Sequence, residues 1–449
     1  MTSRNRVPND QLRALLREAR WTNHNFSLAV NRVAAEAGYA LHYDRTSVSH
    51  WLSGSRPRPP VPEFVAEALG RRLGRPVPSA ATGMVDASAE HVVPAPDPGA
   101  GLPALRRLLA VDLDPCRRVA LFDQPFRADW SAVPPWRHRS GGPGRHREGT
   151  PEDGLGMTLA VMTSAFATAD EAFGGGHARS ALATFLADDV LGWLRSPSGR
   201  VREQLFSGTA ALIHLIGSMC FDDFHHRLAQ HYFRIALLLF GEVGDGIGHA
   251  LVLRAMSTQA YFLGHHRLAA QLADTAASRG GTSMPPGSHA VLLAQAAVAH
   301  AALSDRATAL ARLAEAERRV EKTDDVRQPG ACTDRADVEH LVGQALALLH
   351  DHRRAENALC ASLRHRPEGE RRSRLLTTHR LAELQLRRDK PEQACVTWQR
   401  FLDECSWVRS GQVRSAQRSF RRSLQPYRGN AAVRRVLWRA AARPPGKSS

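Results

Sequence analysis

His225-His226-Arg227-Leu228-Ala229 recurs 40 residues on as His265-His266-Arg267-Leu268-Ala269. The same frame continues as Arg306-Ala307-Thr308-Ala309, His352-Arg353-Arg354-Ala355 and Lys390-Pro391-Glu392-Gln393-Ala394, so that Ala229, Ala269, Ala309, Ala355 and Ala394 are spaced by 40, 40, 46 and 39 residues. Around these alanines the apolar residues keep a helical period, brief Gly-, Pro- or Asp-containing breaks separate the runs, and no alternating strand pattern appears. Each unit therefore reads as a helical hairpin, with a small alanine where its two helices cross. The spacing predicts pairs at 199–218 with 223–241, 245–263 with 265–279, 287–303 with 305–321, 333–349 with 351–365, and 372–388 with 390–405. One hairpin buries its apolar face only against its neighbours, which makes the expected architecture a stack of hairpins and the fold class all-α.

The pattern resembles tetratricopeptide repeats, whose period is 34 residues; the longer spacing here implies longer helices or loops. A TPR-like α-solenoid is expected over 153–442, followed by a disordered tail at 443–449. Concave surfaces of such arrays take an extended peptide, another protein or a small ligand. The resemblance thus implies a protein or peptide partner, or self-association as a homodimer. Residues of lining type, such as His249, Tyr261 and Trp398, are not distinguished from packing residues by the sequence, and core is the better reading for each.

A different signal lies near the start: Arg45-Thr46-Ser47-Val48-Ser49-His50-Trp51-Leu52-Ser53-Gly54, followed by Ser55-Arg56-Pro57-Arg58-Pro59-Pro60. As a helix it places Val48, Trp51 and Leu52 on one face, and Gly54 is positioned to end it in a left-handed cap. The other face carries Arg45, Thr46, Ser47, Ser49, His50 and Ser53. Small polar side chains let a helix backbone approach base edges, while Arg56 and Arg58 on a Pro-stiffened segment suit phosphate contact, with Arg32 as a further clamp. Taken alone, a short amphipathic helix ending in Gly is common. Its neighbours add to it: a helix capped by Asn9 or Asp10 with Leu12, Leu15, Leu16 and Ala19, a second with Phe26, Val30, Val33 and Ala37 stopped by Gly38, and a fourth opened by Pro62-Glu63.

The 47–54 stretch resembles the recognition helix of phage-repressor-type (Cro/C1, XRE) helix-turn-helix domains, and the layout resembles the actinobacterial, Streptomyces-type regulators that join such a domain to helical repeats. The resemblance implies a four- to five-helix DNA-binding domain at 1–78 with Arg45, Thr46, Ser47, Ser49 and His50 facing the groove of double-stranded DNA. The segment 38–44 is longer than the tight turn of the simplest such units.

Charge agrees with an acidic partner. The formal net charge is +16 and the pI about 10.7. Residues 1–78 hold twelve arginines against six acids, and after Glu404 there is no acid at all among eleven cations. That basic end interleaves Trp407, Phe420, Tyr427 and Trp438 with arginines, as a closing helix pair with a cationic outer face and a second candidate for nucleic-acid contact. Between the two domains, 79–152 reads as a Pro-, Ala- and Gly-rich linker containing helices near 102–113 and 115–122 and a basic, disorder-type run at 134–156.

Enzymatic chemistry finds no support in the motifs. No Gly-x-Ser-x-Gly elbow, dinucleotide fingerprint, phosphate loop or His-Glu-x-x-His is present, and no cofactor or metal site is expected. The six cysteines form no C-x-x-C pair and fit reduced, mostly buried thiols. Gly174-Gly175-Gly176 with His177 and Arg179 reads as a sharp interhelical turn, with an anion site as the alternative. No signal peptide or eighteen-residue uncharged apolar run is seen, which points to a cytoplasmic, nucleoid-associated protein without membrane contact.

Overall fold

A computed structural model describes residues 7–75, 77–85, 101–122, 124–128, 153–195, 199–280, 284–321 and 335–442. The expected basic run around 137–147, much of the expected linker, Cys332 and the tail at 443–449 lie outside the described residues. All regular structure among the described residues is helical.

The N-terminal unit consists of α1 (Asp10–Ala19), α2 (Asn23–Glu36), α3 (Arg45–Leu52) and α4 (Val61–Leu73). Asn9 caps α1 by accepting from the Leu12 amide at 2.9 Å, and Thr22 caps α2 through the Asn25 amide. Their apolar faces close on one core containing Leu12, Phe26, Val30, Val48, Trp51, Phe64 and Leu69. Val77 and Met84 also belong to this core, and the Asn9 side chain donates through Nδ2 to Thr82 O at 2.9 Å. Residues 77–85 are therefore part of the unit and not linker. Their Pro- and Ala-rich composition hid two buried apolar side chains.

The helices α5 (Gly101–Asp112) and α6 (Pro115–Phe122) also fall within the expected linker, yet α5 packs its buried Leu105, Leu108 and Leu109 into the core of the repeat array. A buried ion pair fixes α5 there. Arg179 donates to both Asp112 oxygens at 2.7 and 2.8 Å, and the Tyr232 hydroxyl donates to the same carboxylate at 2.6 Å.

The array opens with α7 (Asp153–Phe173) and α8 (Gly175–Phe185), the latter running through a π-helical stretch (Leu186–Val190) into a last turn, α9 (Leu191–Trp193). Five hairpins follow: α10 (Gly199–Asp222) with α11 (His226–Val243), α12 (Gly246–Phe262) with α13 (His266–Gly280), α14 (Pro286–Ala302) with α15 (Arg306–Val320), α16 (Arg335–Leu348) with α17 (His352–His365), and α18 (Arg371–Arg387) with α19 (Pro391–Glu404). A closing pair, α20 (Gly411–Ser423) and α21 (Ala431–Ala442), ends the described chain. The helices lie close to the bounds read from the repeat. All five frame alanines are fully buried, as close helix crossing requires.

Each hairpin turn uses one left-handed residue, Phe224, Gly264, Ser304, His350 and Asp389 in succession. The next residue donates its amide back to the carbonyl five positions earlier, from His225 to Cys220 at 2.9 Å through Lys390 to Gln385 at 3.0 Å. This helix-ending loop satisfies carbonyls that the helix itself leaves open.

The last helices return to the first. Phe173 O accepts from the Arg409 amide at 2.6 Å and Arg409 O from the Gly176 amide at 3.1 Å. Ser410 Oγ donates to Asp222 at 2.7 Å, and Arg372 pairs with Asp170 and Glu171. Burial pushes Asp170 up to about 7 against the pull of Arg372. The glycine cluster serves this contact: a Cβ on Gly174 would overlap Arg409 O, and one on Gly175 would stand 2.6 Å from Met219 O. With Arg179 committed to Asp112, the anion-site alternative at these glycines loses its cation.

Among the described residues one segment, Val201–Asp222, is long and apolar enough to cross a membrane, and more than half of its most apolar window is buried. The sequence reading passed over it because Gln204, Ser207, Thr209 and His214 interrupt it. In the fold it is the core helix against which α7, α8 and α11 pack. Of the five described cysteines, Cys220 and Cys395 are buried, Cys360 and Cys405 half-buried and Cys116 exposed, so burial is less general than expected.

Candidate nucleic-acid interface

The outward face of α3 is built from its inner one. Trp51, 4 % exposed, meets Tyr43 at 4.9 Å and Phe26 at 6.2 Å, both edge-on, and Val48 is fully buried. Aromatic contacts on two sides hold the helix at a fixed rotation. The long 38–44 connection is fixed as well: Asn31 accepts from the Tyr43 amide at 2.9 Å and donates to Tyr43 O at 2.8 Å. Asn is a poor residue for the middle of a helix. Its presence in α2 was a signal that the sequence reading missed.

Arg45, Thr46, Ser49, His50 and Ser53 are exposed along α3, and Arg56 and Arg58 are exposed just beyond its end. Gly54 adopts φ +97° and the Ser55 amide bonds to His50 O at 3.0 Å, which ends the helix as expected. Ser47 has a structural task that the sequence reading did not name. Its amide and hydroxyl both donate to Asp44 Oδ1 at 2.9 Å, a capping arrangement at the start of α3. Those bonds hold the Asp44 carboxyl below its ordinary range. Ser47 thus builds the helix start. Ser49 keeps an outward position, accepting from Asn23 at 3.3 Å and donating to Arg45 O at 3.0 Å.

Arg32 lies on α2. It lines a cleft of about 570 Å³ between α2, α4 and the turn Phe262–His265 of the array, together with Trp21, Glu36 and Arg72. It is exposed there, beside the contact between the N-terminal unit and the array.

That contact centres on Arg71. Its guanidinium donates to both Glu36 oxygens at 2.8 and 2.7 Å, to Glu67 at 2.8 Å and to Phe126 O at 2.7 Å. Burial would raise the Glu36 carboxyl, but hydrogen bonds from His265 and Arg71 lower it; for Glu67 burial wins and the carboxyl is raised. The Phe126 ring stacks on His265 with centroids 5.4 Å apart. The N-terminal unit is thereby seated on the array with α3 turned outward.

A family model described as the SP15 N-terminal domain matches residues 12–85. The match begins in α1 and ends just past Met84, the last core residue of the N-terminal unit. Among curated proteins, none matches the chain.

Elsewhere two of the residues read as core are indeed packed inside. His249 and Trp398 are buried, and Trp398 stacks on Phe420 with centroids 3.3 Å apart. No group of three His, Cys, Asp or Glu side chains suited to a metal occurs among the described residues.

Proposed function

We propose that this chain is a sequence-specific DNA-binding transcriptional regulator of the XRE helix-turn-helix type, working in the cytoplasm at the nucleoid, with α3 as the recognition helix in the major groove. The observation that carries the reading is the outward face of α3: Arg45, Thr46, Ser49 and His50 exposed on a helix whose rotation two aromatic contacts fix. Arg45 and His50 are the donors for base edges, and Arg56 and Arg58 supply phosphate contact. The net charge of +16 supports association with a polyanion.

The TPR-like array serves sensing, protein binding or oligomerisation. A homodimer would present two recognition helices to two half-sites of one duplex. A second reading, an interaction scaffold whose N-terminal unit binds DNA only non-specifically, draws on α7, whose Met157 and Val161 are 68 % and 58 % exposed on a helix without charge from 154 to 169. Selection from random duplexes at two salt concentrations, run with the full chain and an Arg45→Ala/Ser49→Ala/His50→Ala variant, separates the two. Recovery of a motif that the variant loses supports the regulator. Steeply salt-dependent binding, indifferent to sequence and variant, refutes it in favour of the scaffold.

A further inference from the structure

We propose that the C-terminal helix α21 and the adjoining end of α19 bind single-stranded nucleic acid, with Trp438 stacking on an unpaired base and Arg434 and Arg435 engaging the neighbouring phosphates. Residues 405–442 hold nine arginines and no acidic residue. The inner face of α21 is spent on the core: Val433, Val436 and Ala440 are fully buried in the cluster that contains Trp398, Phe401 and Phe420. Arg434, Arg435 and Trp438 are left together on the opposite face, one helical turn apart.

Trp438 is 76 % exposed and Trp407 66 % exposed. Phe420 is fully buried and Tyr427 half-buried, so of the four aromatics in this basic end only the two tryptophans face outward. They share a location. Asn430 bonds to Glu392 at the start of α19 and Arg439 pairs with Asp403 near its end, so α21 runs alongside α19 in the same direction. Trp438, next to Arg439, and Trp407, one turn past Asp403, both stand at the C-terminal end of α19.

The charge is available. Arg439 neutralises Asp403 and Arg414 pairs with Asp223. Arg418, Arg421, Arg422, Arg428 and Arg435 pair with no carboxylate among the described residues. Arginine side chains stack on planar groups and bind phosphate through a two-pronged fork.

The exposed ring decides among polyanions. In a duplex the base faces are covered by one another, so an exposed indole gains little, whereas an unpaired base offers its π-face to it. An anionic membrane is met by a continuous apolar stripe, and α21 has turned its stripe inward.

The test uses the full chain with three probes: a short fluorescein-labelled oligothymidylate, a blunt duplex of random sequence, and phosphatidylglycerol vesicles. Trp438→Ala is expected to weaken oligothymidylate binding by roughly tenfold to a hundredfold with duplex binding unchanged, and Trp438→Phe to keep most of it. Arg434→Ala/Arg435→Ala should lower the slope of log affinity against log salt by about 1.4 on the single strand. The Ser49→Ala/His50→Ala variant should bind oligothymidylate as the parent does, which separates this surface from the reading of α3. Equal loss on duplex and single strand with Trp438→Ala overturns the stacking role. Unchanged single-strand binding in every α21 variant overturns the site, and vesicle binding that oligothymidylate fails to displace overturns the nucleic-acid assignment.

Discussion

Replacing Arg71 with Met keeps most of the side-chain stem and removes the guanidinium that joins the N-terminal unit to the array. Four hydrogen bonds disappear, two to Glu36, one to Glu67 and one to Phe126 O. Both carboxylates are nearly buried, at 8 % and 9 % side-chain exposure. Removing one partner of a buried pair leaves the other charge uncompensated and costs about 3–5 kcal/mol. Glu67, already raised, can take up a proton and hold the loss toward the lower end; Glu36 retains His265 at 3.7 Å. A Glu36→Gln/Glu67→Gln/Arg71→Met variant removes the stranded charges and should recover most of the loss. Amide hydrogen exchange in α4 reads the local opening free energy directly. A loss below about 1 kcal/mol for Arg71→Met, or a triple variant as unstable as the single one, would refute the argument that charge, and not packing, fastens this contact.

Ser304→Gly, His350→Gly and Asp389→Gly should each raise stability by about 1 kcal/mol, because a left-handed residue with a Cβ carries strain that Gly lacks, while Gly264→Ala should lower it by a similar amount; denaturant titration at constant slope checks both. His214, His226 and His249 are pushed down to about 3 by burial first. The unfolded chain therefore binds more protons than the folded one below about pH 6.5, so stability is full above that pH and falls toward pH 3, by ~2 kcal/mol per histidine between pH 6.5 and 5. A His214→Gln variant should show a shallower fall in acid-unfolding titrations, and an unchanged slope would contradict the assignment. Gly174→Ala meets Arg409 O and should speed amide exchange at Gly176 and Arg409 while leaving α14 untouched.

What the sequence made visible was what repeats or alternates within a few residues. His-His-Arg-Leu-Ala occurring twice fixed the hairpin frame, and Val48 with Trp51 oriented α3. The turns were visible only by position, since four of the five left-handed residues are Phe, Ser, His and Asp, and no composition rule marks them. The capping task of Ser47 was not seen because the residue three places before it decides it: Asp44 captures its hydroxyl. Arg71 and Arg179 were opaque for a different reason. Their partners lie on other elements, up to 67 residues away for the Arg179–Asp112 pair, and a charged residue bound for burial has the same local context as a solvated one. The buried Val77 and Met84 show the converse error, in which a few apolar anchors inside a Pro-rich stretch are outvoted by its composition.

The return of Arg409 and Ser410 to Phe173, Gly176 and Asp222 has a consequence for how this architecture changes over evolutionary time. An open stack of hairpins tolerates duplication or loss of a unit, because each unit knows only its neighbours. Here the rotation contributed by every hairpin must sum to the angle that brings residue 409 back to residue 173. Adding one hairpin would overshoot the seam and deleting one would fall short, leaving Asp170, Asp222 and Arg372 without their partners. The number of hairpins behaves as a counted quantity, and variation is channelled into loop length and surface instead, as the 46-residue step amid steps of 40 and 39 already displays.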